Sequence, residues 1–205
     1  MENHGMTKIN IITGSIGSGK STVAQILRDK NFIVYDTDQM VHDLYEKPRM
    51  IEKIRKEFGE QVINKNQIDR KALGEIVFNS KEKMRTLENI VHPDIIDMLE
   101  SVIRDFSGDL LFVEMPQFFE IEEKIRQSLP IGEVWLVILD QDTQIQRVME
   151  RDHMNYHEAK KRLKSQWPNE RKVHHSDQLL YNNGSINDLE KTIGNILNGE
   201  KYESD

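Results

Sequence analysis

The sequence predicts an α/β fold: a five-stranded parallel sheet flanked by helices, with an inserted helical lobe and a helical lid. Three observations predict it. Short apolar runs alternate with amphipathic helical patterns, which leads to strands joined by right-handed helical crossovers. Several runs are apolar on successive residues, as in parallel strands covered on both faces. Between the second and third runs, residues 39 to 107 hold helical patterns but no convincing strand, too long a stretch for one crossover.

Taken in order, Ile9 to Thr13 is the first strand, followed by a glycine-rich loop and a helix over Ser21 to Lys30. Phe32 to Tyr35 is the second strand. In the lobe, Ile51, Ile54 and Phe58 share one helical face, and Met84, Leu87, Ile90 and Val91 share another. A third set, Ile95, Ile96, Leu99, Val102, Ile103 and Phe106, follows Pro93, which is well placed in the first turn of its own helix. These stripes read as packing surfaces rather than as a cofactor box. Leu110 to Met115 and Val134 to Leu139 are the third and fourth strands, with a helix over Thr143 to Asp152 after the fourth. Gln178 to Tyr181 is the fifth. The resulting division is a nucleotide-binding core of residues 1–40, 106–142 and 170–205, a lobe of 41–105 and a lid of 143–169. Met6 is a candidate start after a short extension, and the acidic stretch after Gly199 reads as a frayed tail.

The bulk composition excludes several function classes. A chain of 205 residues, 37% hydrophobic and 31% charged, suits a globular domain with a real core. Its longest apolar stretches, such as Val134 to Leu139, are too short to cross a bilayer. The first residues lack the basic start and apolar run of a signal peptide, so the expected location is the cytoplasm. With no cysteine, thiol catalysis, disulfides and thiolate metal sites are excluded. A net charge of −7 argues against general nucleic-acid binding.

The sharpest signal is Gly14-Ser15-Ile16-Gly17-Ser18-Gly19-Lys20-Ser21, which satisfies G-x-x-x-x-G-K-[ST] with a strand leading in and a helix leading out. Gly14, Gly17 and Gly19 let the backbone wrap close to phosphate, so that successive N–H groups, that of Ser18 among them, point at its oxygens. The helix N-terminus adds partial positive charge. Lys20 reaches the β- and γ-phosphates of ATP in this reading, Ser21 ligates Mg²⁺, and Thr22 contacts the α-phosphate. The fold expected is therefore that of the P-loop NTP hydrolases and kinases.

Such loops serve kinases, GTPase switches and motors alike. Asn64-Lys65-Asn66-Gln67 comes nearest to the guanine reader N-K-x-D but lacks the aspartate and sits in the lobe. Asp105-Phe106-Ser107-Gly108 matches D-x-x-G yet precedes a strand instead of following one. A small-molecule kinase fits better, because it needs a group that orients or deprotonates an acceptor hydroxyl and a cover that excludes water. Asp38, in Tyr35-Asp36-Thr37-Asp38 after the second strand, lies where open parallel sheets place their ligands, and a carboxylate there can accept a hydroxyl proton. Asp36 or Asp38 equally suits an N-cap for the helix that starts near Met40. From Arg147 to Lys172 the acidic chain turns locally basic, which suits gathering polyanionic substrates. Most of those cations read as a solvated, salt-bridged helix face. Arg147 and Arg151, four apart on one face, are the pair expected over the transferring phosphoryl group.

Several blocks together resemble the bacterial dephospho-CoA kinase family over roughly residues 7 to 197. They are Thr13 to Val23, Asp36-Thr37-Asp38, Ile68-Asp69-Arg70 through Phe78, and Leu87-Glu88-Asn89-Ile90-Val91-His92-Pro93. Gln144, Arg147 and Arg151 match the start of that family's lid, and Arg162 to Gln166, Lys172, Asp177 and Asn183-Gly184 match further on. The resemblance implies transfer of the ATP γ-phosphoryl to the ribose 3′-hydroxyl of dephospho-CoA, with Asp38 as base. It also implies an acceptor lobe containing Arg70, His92 and Pro93, and Asn183 near the adenine. A histidine such as His92 is, on its own, more often a packed or capping residue. Three departures stand out: Ser15 replaces a usual glycine, Pro116-Gln117-Phe118-Phe119-Glu120 stands for P-L-L-F-E, and Ser176-Asp177 for A-D. Gln117 and Phe118 bear on acceptor affinity, Pro116 is expected at the acceptor, and Glu114 is a candidate for the Mg²⁺ water shell. The rival readings are a nucleoside or sugar kinase and a nucleotide-dependent switch.

Overall fold

The computed structural model describes residues 7–108 and 110–199, so the candidate start at Met6 and the tail after Gly199 lie outside the described residues. The chain opens with β1 (Lys8–Gly14), α1 (Lys20–Asp29), β2 (Val34–Asp36), α2 (Thr37–Tyr45) and α3 (Pro48–Phe58). A 3-10 turn (Glu60–Val62) precedes β3 (Ile63–Asn64), β4 (Gln67–Ile68), α4 (Arg70–Phe78) and α5 (Lys81–Asp105). Then follow β5 (Leu110–Glu114), α6 (Phe118–Ser128), β6 (Ile131–Ile138) and α7 (Gln141–Asp152). The last elements are α8 (Tyr156–Lys164), α9 (Asn169–Val173), β7 (Gln178–Tyr181) and α10 (Ile186–Leu197). They form two compact units, Met1–Tyr35 with Gly108–Asp205, and Asp36–Ser107.

The first unit is built on the five-stranded sheet, in the order β2-β5-β1-β6-β7. The central strand β1 runs parallel to β5, with Ile12 opposite Glu114, and parallel to β6, with Gly14 opposite Val137. Its Ile9, Ile11 and Ile12 are fully buried, and Asn10 and Thr13 between and after them are buried too, as in a strand covered on both faces. Ile12 joins Val23 and Leu27 of α1, Phe112 of β5, Trp135 of β6 and Leu189 and Ile193 of α10 in one core. There Phe112 meets Trp135 edge to face at 5.0 Å. That core anchors both ends of the glycine-rich loop, because β1 enters it and α1 leaves it. Strand β6 starts three residues before the predicted Val134. Gly132 looks like a loop residue, but a Cβ there would lie 2.5 Å from Asn10 Oδ1, and that same oxygen accepts the Glu133 N–H. Glycine at this position thus serves a close approach between strands.

The second unit departs from the sequence reading twice. Residues 39 to 107 hold a short antiparallel hairpin, β3 with β4, where no strand is expected. Lys65 and Asn66 turn it with φ of 48° and 62°, the left-handed pair that a two-residue hairpin loop needs. Two-residue strands are too short for a period-two pattern to show. Pro93, expected to start a helix, sits inside the long α5, which Ser80 caps by accepting from Lys83 N. An interior proline costs about 3 kcal/mol. A stripe of Val91, Ile95, Ile96 and Leu99 is buried on both sides of it, and that packing carries the helix through. The motif residue Asp69 caps α4 by accepting from Lys71 N and Ala72 N, a device that contributes about 1 kcal/mol. Among the described residues no helix is long and apolar enough to cross a membrane.

Candidate active site at the phosphate loop

The loop between β1 and α1 has the conformation that its glycines allow. Gly17 and Gly19 have φ of 76° and 98°, and Gly19 is the left-handed residue preceding α1. A Cβ on Gly14 would lie 2.5 Å from Val137 O, and one on Gly19 would strike Asn182 Nδ2. Within the loop Ser18 N donates to Ser15 O at 3.1 Å, and Thr22 N to Gly19 O at 3.0 Å. Lys20, only 9% exposed, turns back so that its Nζ donates to Gly14 O and Ser15 O at 3.1 and 3.2 Å. No acidic side chain in the first turn of α1 offsets the positive end of that helix. Ser18 is fully buried, and among the described residues its Oγ makes no hydrogen bond. A buried hydroxyl in that position, beside a cradle that a Cβ would fill, fits an anionic, acceptor-rich group such as a nucleotide phosphate.

Ser21 is exposed in the first turn of α1. Among the described residues no group of three His, Cys, Asp or Glu could hold a metal ion by itself. Mg²⁺ on a nucleotide takes most of its ligands from phosphate and water and needs only one or two from protein, so a single serine hydroxyl fits it. Glu114 ends β5 and is 8% exposed.

Around the loop the structure separates residues that look alike in sequence. Arg147, exposed on α7, has Nη1 3.5 Å from where a Gly19 Cβ would stand, at the edge of the loop. Arg151 is held by Asp152, Nε to Oδ1 at 2.7 Å, and Arg162 Nη1 donates to the same carboxylate at 2.7 Å. The hydrogen bond from Arg151 pulls the Asp152 pKa below the ordinary carboxylate range. Of the adjacent asparagines after β7, the buried Asn182 donates from Nδ2 to Ser18 O at 2.9 Å, whereas Asn183 Oδ1 accepts from Asp140 N at 3.0 Å. Asn182 was not singled out by sequence. Consecutive side chains at a strand end point to opposite faces, and an Asn-Asn pair gives no hint which one faces the loop.

The segment after α8 also reaches the loop. Gln166 Oε1 accepts the Ile16 N–H at 2.8 Å, and Asn169 Oδ1 accepts from Ser15 Oγ at 3.1 Å. Lys172, read from sequence as one of the solvated cations, is instead 1% exposed and donates from Nζ to Ser15 Oγ at 2.8 Å. Trp167 stacks on Phe119 at 5.9 Å, and the Arg171 guanidinium lies 3.3 Å from the Trp167 ring centre. A groove of about 540 Å³ opens beside the loop, lined by Ser15, Gln144, Leu163, Gln166 and Trp167 among others. Pro116 is half-buried just beyond β5, and Gln117 is exposed. Phe118 is fully buried beneath Arg126, so its substitution is absorbed by the core rather than presented at a surface.

The acceptor-side candidates belong to the second unit. Asp36 is the N-cap of α2, its Oδ1 accepting from Asp38 N at 2.8 Å and Gln39 N at 3.3 Å. That decides which of the two aspartates caps the helix and leaves Asp38 exposed in the first turn. Arg70 is exposed at the start of α4, and its charge acts on Tyr45, whose hydroxyl pKa burial raises. His92 is half-buried on α5, and Pro93 beside it is exposed.

The chain matches the family model for dephospho-CoA kinase over residues 9–188. It is similar to a dephospho-CoA kinase of Fusobacterium nucleatum, with 37% identity over 185 residues, 89% of this chain and 93% of that one. Among solved structures it resembles a Thermus thermophilus protein with a TM-score of 0.82 at 32% identity, covering 96% of this chain and 99% of that one. The dephospho-CoA kinase from Campylobacter jejuni gives a TM-score of 0.61 at 30% identity, covering 96% and 98%.

Proposed function

This chain belongs to the dephospho-CoA kinase family, a family of ATP-dependent kinases, and we propose that it moves the γ-phosphoryl group of ATP to the ribose 3′-hydroxyl of dephospho-CoA, giving coenzyme A and ADP. The observation that carries this reading is the glycine loop between β1 and α1, with Lys20 folded over it and Arg147 at its rim. The transfer is an in-line displacement, in which positioning and charge balance supply most of the acceleration. Backbone N–H groups of Gly17, Gly19, Lys20 and Ser21 hold the phosphates, with the Ser18 and Thr22 hydroxyls in place of their own N–H groups, which donate to Ser15 O and Gly19 O. Lys20 swings from its own loop carbonyls onto the β- and γ-phosphate oxygens. Arg147 balances charge on the moving group, and Arg151 supports the lid through Asp152. Asp38 orients the 3′-hydroxyl and takes its proton. Mg²⁺, held by the Ser21 hydroxyl and the nucleotide, supplies charge neutralisation when bound. Arg70, His92 and Pro116 contact the acceptor, and Asn183 bounds the adenine side. The substrates are small molecules, so neither nucleic acid nor membrane is required, and the setting is the cytoplasm.

The test is ADP release with each acceptor in turn. Dephospho-CoA is expected to raise it to a turnover of about 1–100 per second. Release that stays at background with dephospho-CoA but rises with a nucleoside or a sugar sinks the assignment. Within the lid, Arg147→Ala is expected to lower kcat about 10²-fold, as loss of one charge-stabilising donor does. Arg151→Ala is expected to cost about fivefold or less, the scale of an exposed ion pair. Steady-state kinetics of the two variants check this ranking, and equal losses would remove it.

A further inference from the structure

Ser15 is gripped from two sides by lysines. Its carbonyl accepts from Lys20 Nζ at 3.2 Å, and its hydroxyl accepts from Lys172 Nζ at 2.8 Å while donating to Asn169 Oδ1 at 3.1 Å. Lys172 arrives from α9, more than 150 residues away in sequence, and is as buried as the sheet core, at 1% exposure. Burying an ammonium carries a large desolvation cost. Among the described residues its Nζ donates to the Ser15 hydroxyl and otherwise lies 6.0 Å from the centre of the Phe119 ring. Such a costly group at the tip of a phosphate loop calls for a role beyond packing. On the loop's other side Gln166 takes the Ile16 N–H, so the α8–α9 segment holds two successive loop residues.

We propose that Lys172 is a positioning residue for phosphoryl transfer: acting through the Ser15 hydroxyl, its ammonium fixes the tip of the phosphate loop and adds a second positive charge behind Lys20. The serine makes this possible, because a glycine at 15 has no side-chain oxygen to receive the ammonium. The loop's first variable position is therefore part of the machinery in this chain. The inference rests on the kinase reading above and names a further residue for the same site.

The charge state of Lys172 provides a readout. Burial pushes its pKa down from the ordinary 10.5 to about 8; Lys20 adds to the shift, and Glu120 on α6 opposes it. The folded value lies below the unfolded one, so the unfolded chain binds more protons between these values. The contribution of this group to stability therefore rises as pH climbs from about 8 to 10.5. Nucleotide binding has the opposite dependence, because the anionic phosphates favour the charged ammonium, and affinity for ADP should fall above pH 8.

The experiment is a double-mutant cycle on the full chain, with Lys172→Met, Ser15→Ala and the pair. It reads ADP affinity by calorimetry from pH 7 to 9 and the KM values for ATP and dephospho-CoA. Each single variant is expected to weaken ADP binding about tenfold, the scale of one hydrogen bond to a charged group. The pair should be no worse than either, the dephospho-CoA KM should stay within about twofold, and the alkaline fall in affinity should vanish with Lys172→Met. Additive losses, or an alkaline fall that survives Lys172→Met, overturn the proposal. If Lys172→Met does not fold, Ser15→Ala decides alone, and unchanged ADP affinity in that variant rejects it. Because ADP binding is read apart from turnover, a wild-type protein inert toward dephospho-CoA would sink the kinase assignment without deciding this one.

Discussion

Replacing Lys20 with methionine is expected to lower kcat/KM for ATP by about 10²–10³-fold while leaving the melting temperature nearly unchanged. The side chain is 9% exposed, and its ammonium donates at 3.1 and 3.2 Å to two carbonyls of its own loop. Methionine keeps much of the length and apolar volume, so the packing around α1 survives. What disappears is a point charge in a site poor in water, where electrostatic stabilisation of developing charge is strongest. Arginine is not expected to rescue the variant, since a planar fork does not fit where a compact ammonium turns back on the loop. Steady-state kinetics at varied ATP, with thermal melts in parallel, check this. A kcat/KM within a few-fold of wild type would mean that the loop is not where phosphoryl transfer happens.

Asp38→Asn is expected to cut kcat by about 10²-fold or more, with ATP binding retained. Asparagine keeps the shape and can still lie beside a hydroxyl, but it cannot take up a proton. The helix should be unharmed, because Asp36 rather than Asp38 caps α2. That separation makes the experiment clean, since a fall in kcat cannot be assigned to an unravelled first turn. Measuring ATP affinity together with single-turnover product formation distinguishes the step affected. Near-normal turnover would remove Asp38 from the role, and Asp36→Asn, which tests the cap, should by contrast show itself mainly in stability, at about 1 kcal/mol.

Much of the first unit was legible in sequence because its signals are local. An isoleucine-rich, buried β1, three glycines that must adopt unusual backbone angles and a helix that begins at the lysine all lie within Lys8 to Asp29. The second unit was read less well. Its hairpin is made of two-residue strands that carry no periodicity, and the Asn64-Lys65-Asn66-Gln67 stretch, weighed as a nucleotide reader, is its turn. Pro93 is a local helix-start signal that a long apolar stripe overrides.

The sequence by itself determined the α/β class, the phosphate loop and the helical character of the lobe, each of which follows from backbone angles or periodicities within a dozen or so residues; the family followed from the resemblance of motif blocks spread over residues 7 to 197. Only the tertiary structure told like residues apart: Arg147 stands at the edge of the loop while Arg151 pairs with Asp152, Asn182 rather than Asn183 donates to the loop, and Asp36 rather than Asp38 caps α2. It also places Lys172, whose sequence context is that of a solvated helix face, in a buried seat on Ser15. The physical reason is separation along the chain. The loop's partners at 166, 169, 172 and 182 come from beyond β6, and burial or pairing at such a distance is a property of the packed sheet, with no trace in the local pattern.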